Sequence, residues 1–325
     1  MKRAIYVIGS ILVLAAALFV YASSSAVHEK MQYTVLEYKE PALPTDSVLS
    51  VMTFNLGYLS GMINNLPIKG TTAFFDGNLQ NAKTLVSTLK PTILGLQEVD
   101  FASRRSFYQN QLDTLASAAG FGFAYRSINW DKRYVPFPYW PPSRHFGRML
   151  SGQAIGTAVP IENVSTITLT PHLNAPAYYR AFYLDRLLQV AEVKFREERI
   201  LMMNVHLEAF DRETRLDQII VIKELFERHA SEQPVLLFGD FNCEVPGRED
   251  EKDALSLLMD APFISSAVPF DKASSNGTFP SSQPDRMIDY IFYNANFLTC
   301  TSAKVLEEAG QISDHLPVYA SFILK

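Results

Sequence analysis

Cysteine is scarce: Cys243 and Cys300 are the only two in 325 residues. Two thiols do not make a disulfide framework, and no Cys-x-x-Cys or Cys/His cluster has zinc-finger spacing. Charge is also sparse, at 19% Asp, Glu, Lys and Arg against 48% hydrophobic residues. Such a chain is too apolar for disorder and can fill a sizeable core. The formal net charge is -5, and no basic tail or block occurs. That argues against retention on nucleic acid mainly by phosphate neutralisation. It leaves room for a nuclease, because a local basic or metal-lined cleft can act inside an acidic protein. No internal repeat or low-complexity tract is present, and one large α/β domain can reach this length.

The chain does have a long hydrophobic run. Lys2 and Arg3 precede an apolar stretch from Ala4 to Ala22, broken by Tyr6, Gly9 and Ser10. As a helix this stretch spans roughly 28 Å, about one hydrocarbon thickness. The basic pair favours a cytoplasmic N-terminus with the rest outside. A retained membrane anchor and a cleaved signal peptide both fit residues 1–27. The expected localisation is therefore membrane-anchored with the catalytic domain outside the cytoplasm, or exported after cleavage. Residues 28–47, with Pro41 and Pro44, read as a linker, and 48–325 as the catalytic domain.

Within 48–325, strands are expected at Val48–Asn55, Ile93–Val99, Ser165–Leu169, Leu187–Phe195, Arg199–Val205, Pro234–Asp240, Met287–Phe292 and Leu316–Leu324. Helical spacing marks Asn78–Lys90, Tyr108–Ala119, Thr214–His229 and Ala254–Asp260. Ser127–Gly152 carries Pro136, Pro138, Pro141 and Pro142 among aromatic and basic residues, and is expected to be a long, partly exposed loop or irregular extension, either packed on itself over a sheet edge or forming a substrate- or membrane-facing lip. Many connections are too short for βαβ crossovers, which favours mixed sheets packed together with helices outside.

Apolar strands repeatedly stop on an acid, amide or imidazole: Asn55, Glu98, His206, Asp240 with Asn242, and Asp314 with His315. Strand ends on one edge of packed sheets can bring distant groups into a single cleft. Carboxylates and an amide are the hard oxygen ligands that magnesium prefers, and no thiolate set for softer metals exists.

Six segments carry a resemblance. They are Thr53-Phe54-Asn55, Leu96-Gln97-Glu98-Val99, Asn204-Val205-His206-Leu207, Gly239-Asp240-Phe241-Asn242, Ile288-Asp289-Tyr290-Ile291-Phe292 and Ser313-Asp314-His315-Leu316-Pro317-Val318. In that order they resemble the endonuclease/exonuclease/phosphatase (DNase I-like) superfamily. The resemblance implies a four-layer α/β sandwich of two mixed β-sheets flanked by helices, with Mg2+ as cofactor and Mn2+ able to substitute. It implies Glu98 as principal metal ligand, with Asn55 close and Asp314 able to approach the same ion. Asp240 would orient or deprotonate water, and Asn242 would hold a phosphoryl oxygen. Asp289 would fix the tautomer of His315, which acts either as base or as a phosphate-binding cation. His206 would stabilise the transition state or protonate the leaving oxygen. Arg186 could reach phosphate, with Tyr183 and Arg180 weaker candidates. Arg215, Gln218 and Arg286 read as scaffold, and Cys243 as packing.

One segment departs from the pattern. Gln153–Pro160 has Gly156, Thr157 and Ala158 where many relatives carry a serine followed by a basic residue. The departure blurs the subgroup but leaves the polar set intact. The expected activity is metal-dependent hydrolysis of a phosphate ester by in-line water attack, as a phosphodiesterase or nuclease. The alternatives are a sphingomyelinase-like lipid phosphodiesterase, a phosphomonoesterase and a non-catalytic tethered module. The expected partners are the substrate and a membrane, and nothing demands a protein partner.

Overall fold

The computed structural model describes residues 2–26, 33–38, 47–244, 254–270 and 276–325. Part of the expected linker therefore lies outside the described residues. The chain begins with α1 (Lys2–Ser23), β1 (Tyr33–Glu37), β2 (Leu49–Asn55), α2 (Thr72–Leu89), β3 (Ile93–Asp100) and α3 (Gln111–Ala119). It continues through β4 (Phe123–Val135), β5 (Gly147–Thr157), β6 (Ile161–Thr168), α4 (Ala177–Phe182), β7 (Leu187–Phe195) and β8 (Glu198–His206). The remainder comprises α5 (Arg212–Ala230), β9 (Val235–Asp240), α6 (Ala254–Met259), β10 (Ile264–Ser266), β11 (Asp289–Asn294), β12 (Leu298–Val305) and β13 (Val318–Leu324).

Seven strands form one sheet in the order β1-β4-β5-β3-β2-β13-β12, and six form a second in the order β10-β11-β9-β8-β7-β6. The pairs β2/β3 and β8/β9 are parallel within otherwise antiparallel sheets. The expected four-layer sandwich of two mixed sheets flanked by helices is thus present. Two-residue alternation builds its layers. In β2, Leu49 and Val51 enter the core shared with the second sheet, while Met52 and Phe54 enter a core with α2 and α3. Ile219, Ile222 and Phe226 of α5 pack with the second sheet. Gly95 lets the sheets approach closely, because a Cβ there would lie 2.2 Å from the Phe238 ring.

A buried polar seam also runs between the sheets. Gln97 Nε2 donates to Asn204 Oδ1 at 2.6 Å and to Thr53 Oγ1 at 3.2 Å. Asn204 Nδ2 donates to Gln189 Oε1 at 2.8 Å and to the Leu96 and Ala154 carbonyls at 3.2 Å each. These partners satisfy groups that would be costly to bury alone, while Gln97 Oε1 stays buried without a partner among the described residues.

The structure corrects the expected loop at Ser127–Gly152. β4 and β5 form a long hairpin, paired from Phe123 with Thr157 to Val135 with Gly147. The four prolines all fall between its strands, in residues 136–146. Register shifts at Ile128/Trp130 and Lys132/Val135 break the alternation by which a strand is read from sequence. Trp130, Val135 and Met149 form a small core of their own with Tyr58. The helix expected from Asn78 also starts earlier, where Thr71 caps α2 by accepting the Phe74 amide at 3.2 Å.

Candidate active site

The parallel pairs bring their C-terminal ends to one edge. There Asn55 lies opposite Gln97, and His206 opposite Asp240. Asp289 opens β11 directly across from Asp240. Asp314 and His315 precede β13, which pairs with β2. Separations of 185 and 260 residues collapse to single contacts: Asn55 Nδ2 donates to Asp240 Oδ2 at 2.9 Å and lies 3.5 Å from His315 Nε2.

A β-bulge aims Glu98. Strict alternation from Leu94 and Leu96 would turn it toward α2 and α3. The register instead shifts between Leu96 and Val99, and Glu98 adopts φ +51°. Val99 rejoins the helix-side core, while Glu98 reaches the cleft. Asn64 Nδ2 donates to Glu98 Oε2 at 3.1 Å and to Asp314 Oδ2 at 3.2 Å, so two carboxylates converge on one amide nitrogen. Burial raises the Glu98 pKa above its ordinary range, and the Asp314 carboxylate adds to the rise. Gly57, at φ +49°, makes room for this approach, since a Cβ there would meet Asp314 Oδ1 at 2.4 Å. Tyr58, Leu59 and Asn242 near the cleft share the left-handed region with Glu98.

Beside this acid pair, His315 Nδ1 lies 2.9 Å from Asp289 Oδ2 and its Nε2 lies 3.9 Å from Asp240 Oδ2. Burial opposes the charged ring, but Asp289 and then Asp240 outweigh it and raise His315 to about 10. Burial, and then the Asp289 carboxylate, raise Asp240 to about 7. His206 Nε2 stands 3.4 Å from Asp240 Oδ2 and 3.8 Å from Glu98 Oε1. Burial, and then the Arg186 and His315 cations, depress its pKa well below the ordinary value, so this imidazole is neutral. Asn242 donates its backbone N–H to Asp240 Oδ1 and its Nδ2 to the Leu207 carbonyl, both at 2.9 Å. Phe241, between the two, is fully buried against Tyr290 and Phe292. Asp240, Asp289 and His315 each offer a ligand atom within 4.8 Å of the others and form a cluster able to coordinate a divalent ion.

The cleft above these groups measures about 600 Å³. Arg186 lines it, with Nη2 donating to Tyr183 OH at 2.7 Å and Nε 3.4 Å from Glu208 Oε2. Its buried Nη1 has no partner among the described residues. Arg215 Nη1 donates to the Glu208 carbonyl, and the Glu208 amide donates to Gln218 Oε1, which fits their scaffold reading. Arg286 stacks on Phe279, 4.8 Å from the ring centroid, and also lines the cleft. Arg180 belongs to α4 and is not among the lining residues, and Cys243 is buried beside Asn242. Sequence reasoning missed Asn64, which sits in a turn and carries no motif. It also missed the part of the aromatic wall supplied by Tyr179 and Phe182, whereas Phe137, Tyr139 and Phe146 of the same wall come from the aromatic and basic segment 127–152.

Two packed mixed sheets with a polar cleft at their shared edge define a protein of the α/β-sandwich class. Residues 52–315 match the Endonuclease/Exonuclease/phosphatase family, and the chain belongs to that family. Family membership and the Asp240/Asp289/His315 cluster support metal-dependent phosphoesterase chemistry. No curated protein matches the chain. Among solved structures, an endonuclease/exonuclease/phosphatase from Beutenbergia cavernae is similar with TM-score 0.60 and 18% identity, over 85% of this chain and 72% of that one. A family protein from Bacteroides thetaiotaomicron aligns with TM-score 0.59 and 17% identity, over 86% of this chain and 98% of its own. A mannosyl-6-phosphatase from the same organism gives TM-score 0.58 and 18% identity, over 85% and 99%. At these identities the likeness is one of fold.

Proposed function

We propose that the chain hydrolyses a phosphate ester by in-line attack of water, as a phosphodiesterase or nuclease acting outside the cytoplasm. The observation that carries this reading is the convergence of Glu98 and Asp314 on a single amide nitrogen, beside the cationic His315 and the unpartnered Nη1 of Arg186. Two acids drawn together around a neutral donor suit a divalent cation. We favour Glu98 and Asp314 as its ligands over the Asp240/Asp289/His315 cluster, because His315 and Asp289 already satisfy each other as an ion pair. Asn55 Oδ1 accepts the Gly57 amide at 2.9 Å and keeps a second lone pair for the same ion. Magnesium, or manganese in its place, neutralises phosphoryl charge when bound there.

The other groups divide the remaining work. Asp240, titrating near neutrality, takes the proton of the attacking water. Asn55 holds that carboxylate in place. His315, kept protonated by Asp289, binds a phosphoryl oxygen as a cation. Neutral His206 and the Asn242 amide donate hydrogen bonds where oxygen charge develops. Arg186 offers Nη1 to the phosphate. The basic pair Lys2 and Arg3 ahead of the apolar helix supports the outward orientation.

The test is hydrolysis of the diester bis(4-nitrophenyl) phosphate, the monoester 4-nitrophenyl phosphate, DNA and RNA by purified protein, with Mg2+ or with chelator. Chelation should abolish turnover, and His315→Ala should lower it by roughly 100-fold or more. Activity that survives both Glu98→Ala and His315→Ala refutes the assignment.

A further inference from the structure

The apolar helix leaves the domain beside the mouth of the cleft. None of α1 is buried, and its mean hydropathy reaches 2.4. Its C-terminal end is fastened to β4. The Arg133 amide donates to the Ser24 carbonyl at 3.0 Å, and the Ala26 amide donates to Asp131 Oδ2 at 2.9 Å. Arg133 also lies 5.4 Å from the centroid of the Tyr21 ring. Phe19 meets Phe182 edge-on at 5.3 Å, and Phe182 is part of the cleft wall. A bilayer spanned by α1 would therefore end at the level where the cleft opens.

The mouth is dressed for that level. Tyr139 and Phe210 line the cleft and are 56% and 75% exposed, and Trp140 and Tyr178, each adjacent in sequence to a lining residue, are 78% and 58% exposed. The tryptophan and tyrosine rings favour the headgroup region, with an apolar body and a wet polar edge, and Phe210 adds apolar area beside them. Below them the cleft passes from aromatic walls to a floor of Glu98, Asp240, Asp314 and His315. An amphiphile would lie across that gradient with its phosphate at the floor.

We propose that α1 stays in the membrane, that the aromatic mouth rests on the same bilayer, and that the substrate is a bilayer phospholipid or sphingolipid. The chemistry rests on the phosphoesterase reading above, whereas the membrane contact rests on geometry alone. Water oxygen bonds to phosphorus and one P–O ester bond breaks. One water proton passes to Asp240 and the departing alkoxide takes up a proton, so a diester yields an alcohol and a phosphomonoester.

The experiment uses the full chain in vesicles of phosphatidylcholine, phosphatidylethanolamine, phosphatidylglycerol and sphingomyelin, part of the phosphatidylcholine being brominated. Trp130 and Trp140 are the only tryptophans. The difference between the wild type and Trp140→Phe thus isolates the Trp140 emission. Strong quenching by bromolipid is expected, and no quenching overturns the docking. A doubly substituted Trp140→Ser, Tyr178→Ser protein alters residues that do not line the cleft. It should lose about tenfold of its vesicle-lipid hydrolysis, as two interfacial anchors go. Its turnover of soluble bis(4-nitrophenyl) phosphate should stay within about twofold, as expected for distant sites. Equal loss on both substrates, hydrolysis of DNA or RNA but not vesicle lipid, or a mature N-terminus beyond α1 overturns the proposal. A wild type inert toward the soluble diester with Mg2+ overturns the phosphoesterase reading and the lipid substrate with it, while Trp140 quenching still decides the docking.

Discussion

Replacing Asn204 by leucine tests how the two sheets are held in register. The change keeps approximate volume but removes a side chain that donates to Gln189 Oε1 and to the Leu96 and Ala154 carbonyls, and accepts from Gln97 Nε2. Gln189 Oε1 loses its 2.8 Å donor, and Gln97 Nε2 keeps only its 3.2 Å bond to Thr53. Stranding a buried polar group costs about 1–3 kcal/mol, so two such groups cost about 2–6 kcal/mol. Leucine returns roughly 1–2 kcal/mol through its own burial. Taking the midpoints, the net expectation is a loss of about 2.5 kcal/mol. Equilibrium urea unfolding of the full chain in mild detergent, followed by circular dichroism, reads this directly. Adding Gln97→Leu should then cost less than it does alone, with a coupling of about 1 kcal/mol or more. A loss below about 1 kcal/mol, or strict additivity, would show that the seam does not hold the sheets.

Three further outcomes follow from the site. The folded pKa of His315, about 10, lies above the ordinary 6.5, so its stabilisation is complete below pH 6.5 and fades as pH rises toward 10. Asp289→Asn should lower that pKa by roughly 1–3 units and draw the loss toward neutral pH, read by imidazole nitrogen NMR of metal-free protein. An unchanged midpoint would refute the pairing. Because protons compete with a cation for Glu98, whose pKa burial raises, the rise in melting temperature on adding Mg2+ should grow as pH climbs past the ordinary carboxyl range. A shift that does not depend on pH would place the ion elsewhere. Finally, Gly95→Val should destabilise by more than about 1 kcal/mol by forcing Phe238 from its rotamer, with partial rescue by Phe238→Leu. Thermal unfolding of the two variants would show it.

Much of this fold was legible because its chemistry sits where apolar strands stop. Asn55, His206 and Asp240 each end a strand, and their assembly needed only the sheets to share an edge. Glu98 was legible by motif but not by pattern, since its bulge breaks the alternation that assigns a residue to a face. The β4/β5 hairpin was hidden by the same kind of irregularity, compounded by prolines that proved to lie in its connection. Asn64 was out of reach, because a turn amide gains its meaning only when Glu98 and Asp314 arrive beside it.

The left-handed backbone at Glu98 sets folding against turnover. A non-glycine residue at φ +51° stores about 1–3 kcal/mol, and this one also carries an acid drawn toward another carboxylate. Glu98→Gly should relieve both and raise the unfolding free energy of the metal-free protein by about 1 kcal/mol or more, while leaving it inert. A screen for thermostable variants would then enrich dead enzyme at this position. Directed evolution of the chain therefore has to select on product rather than on soluble yield.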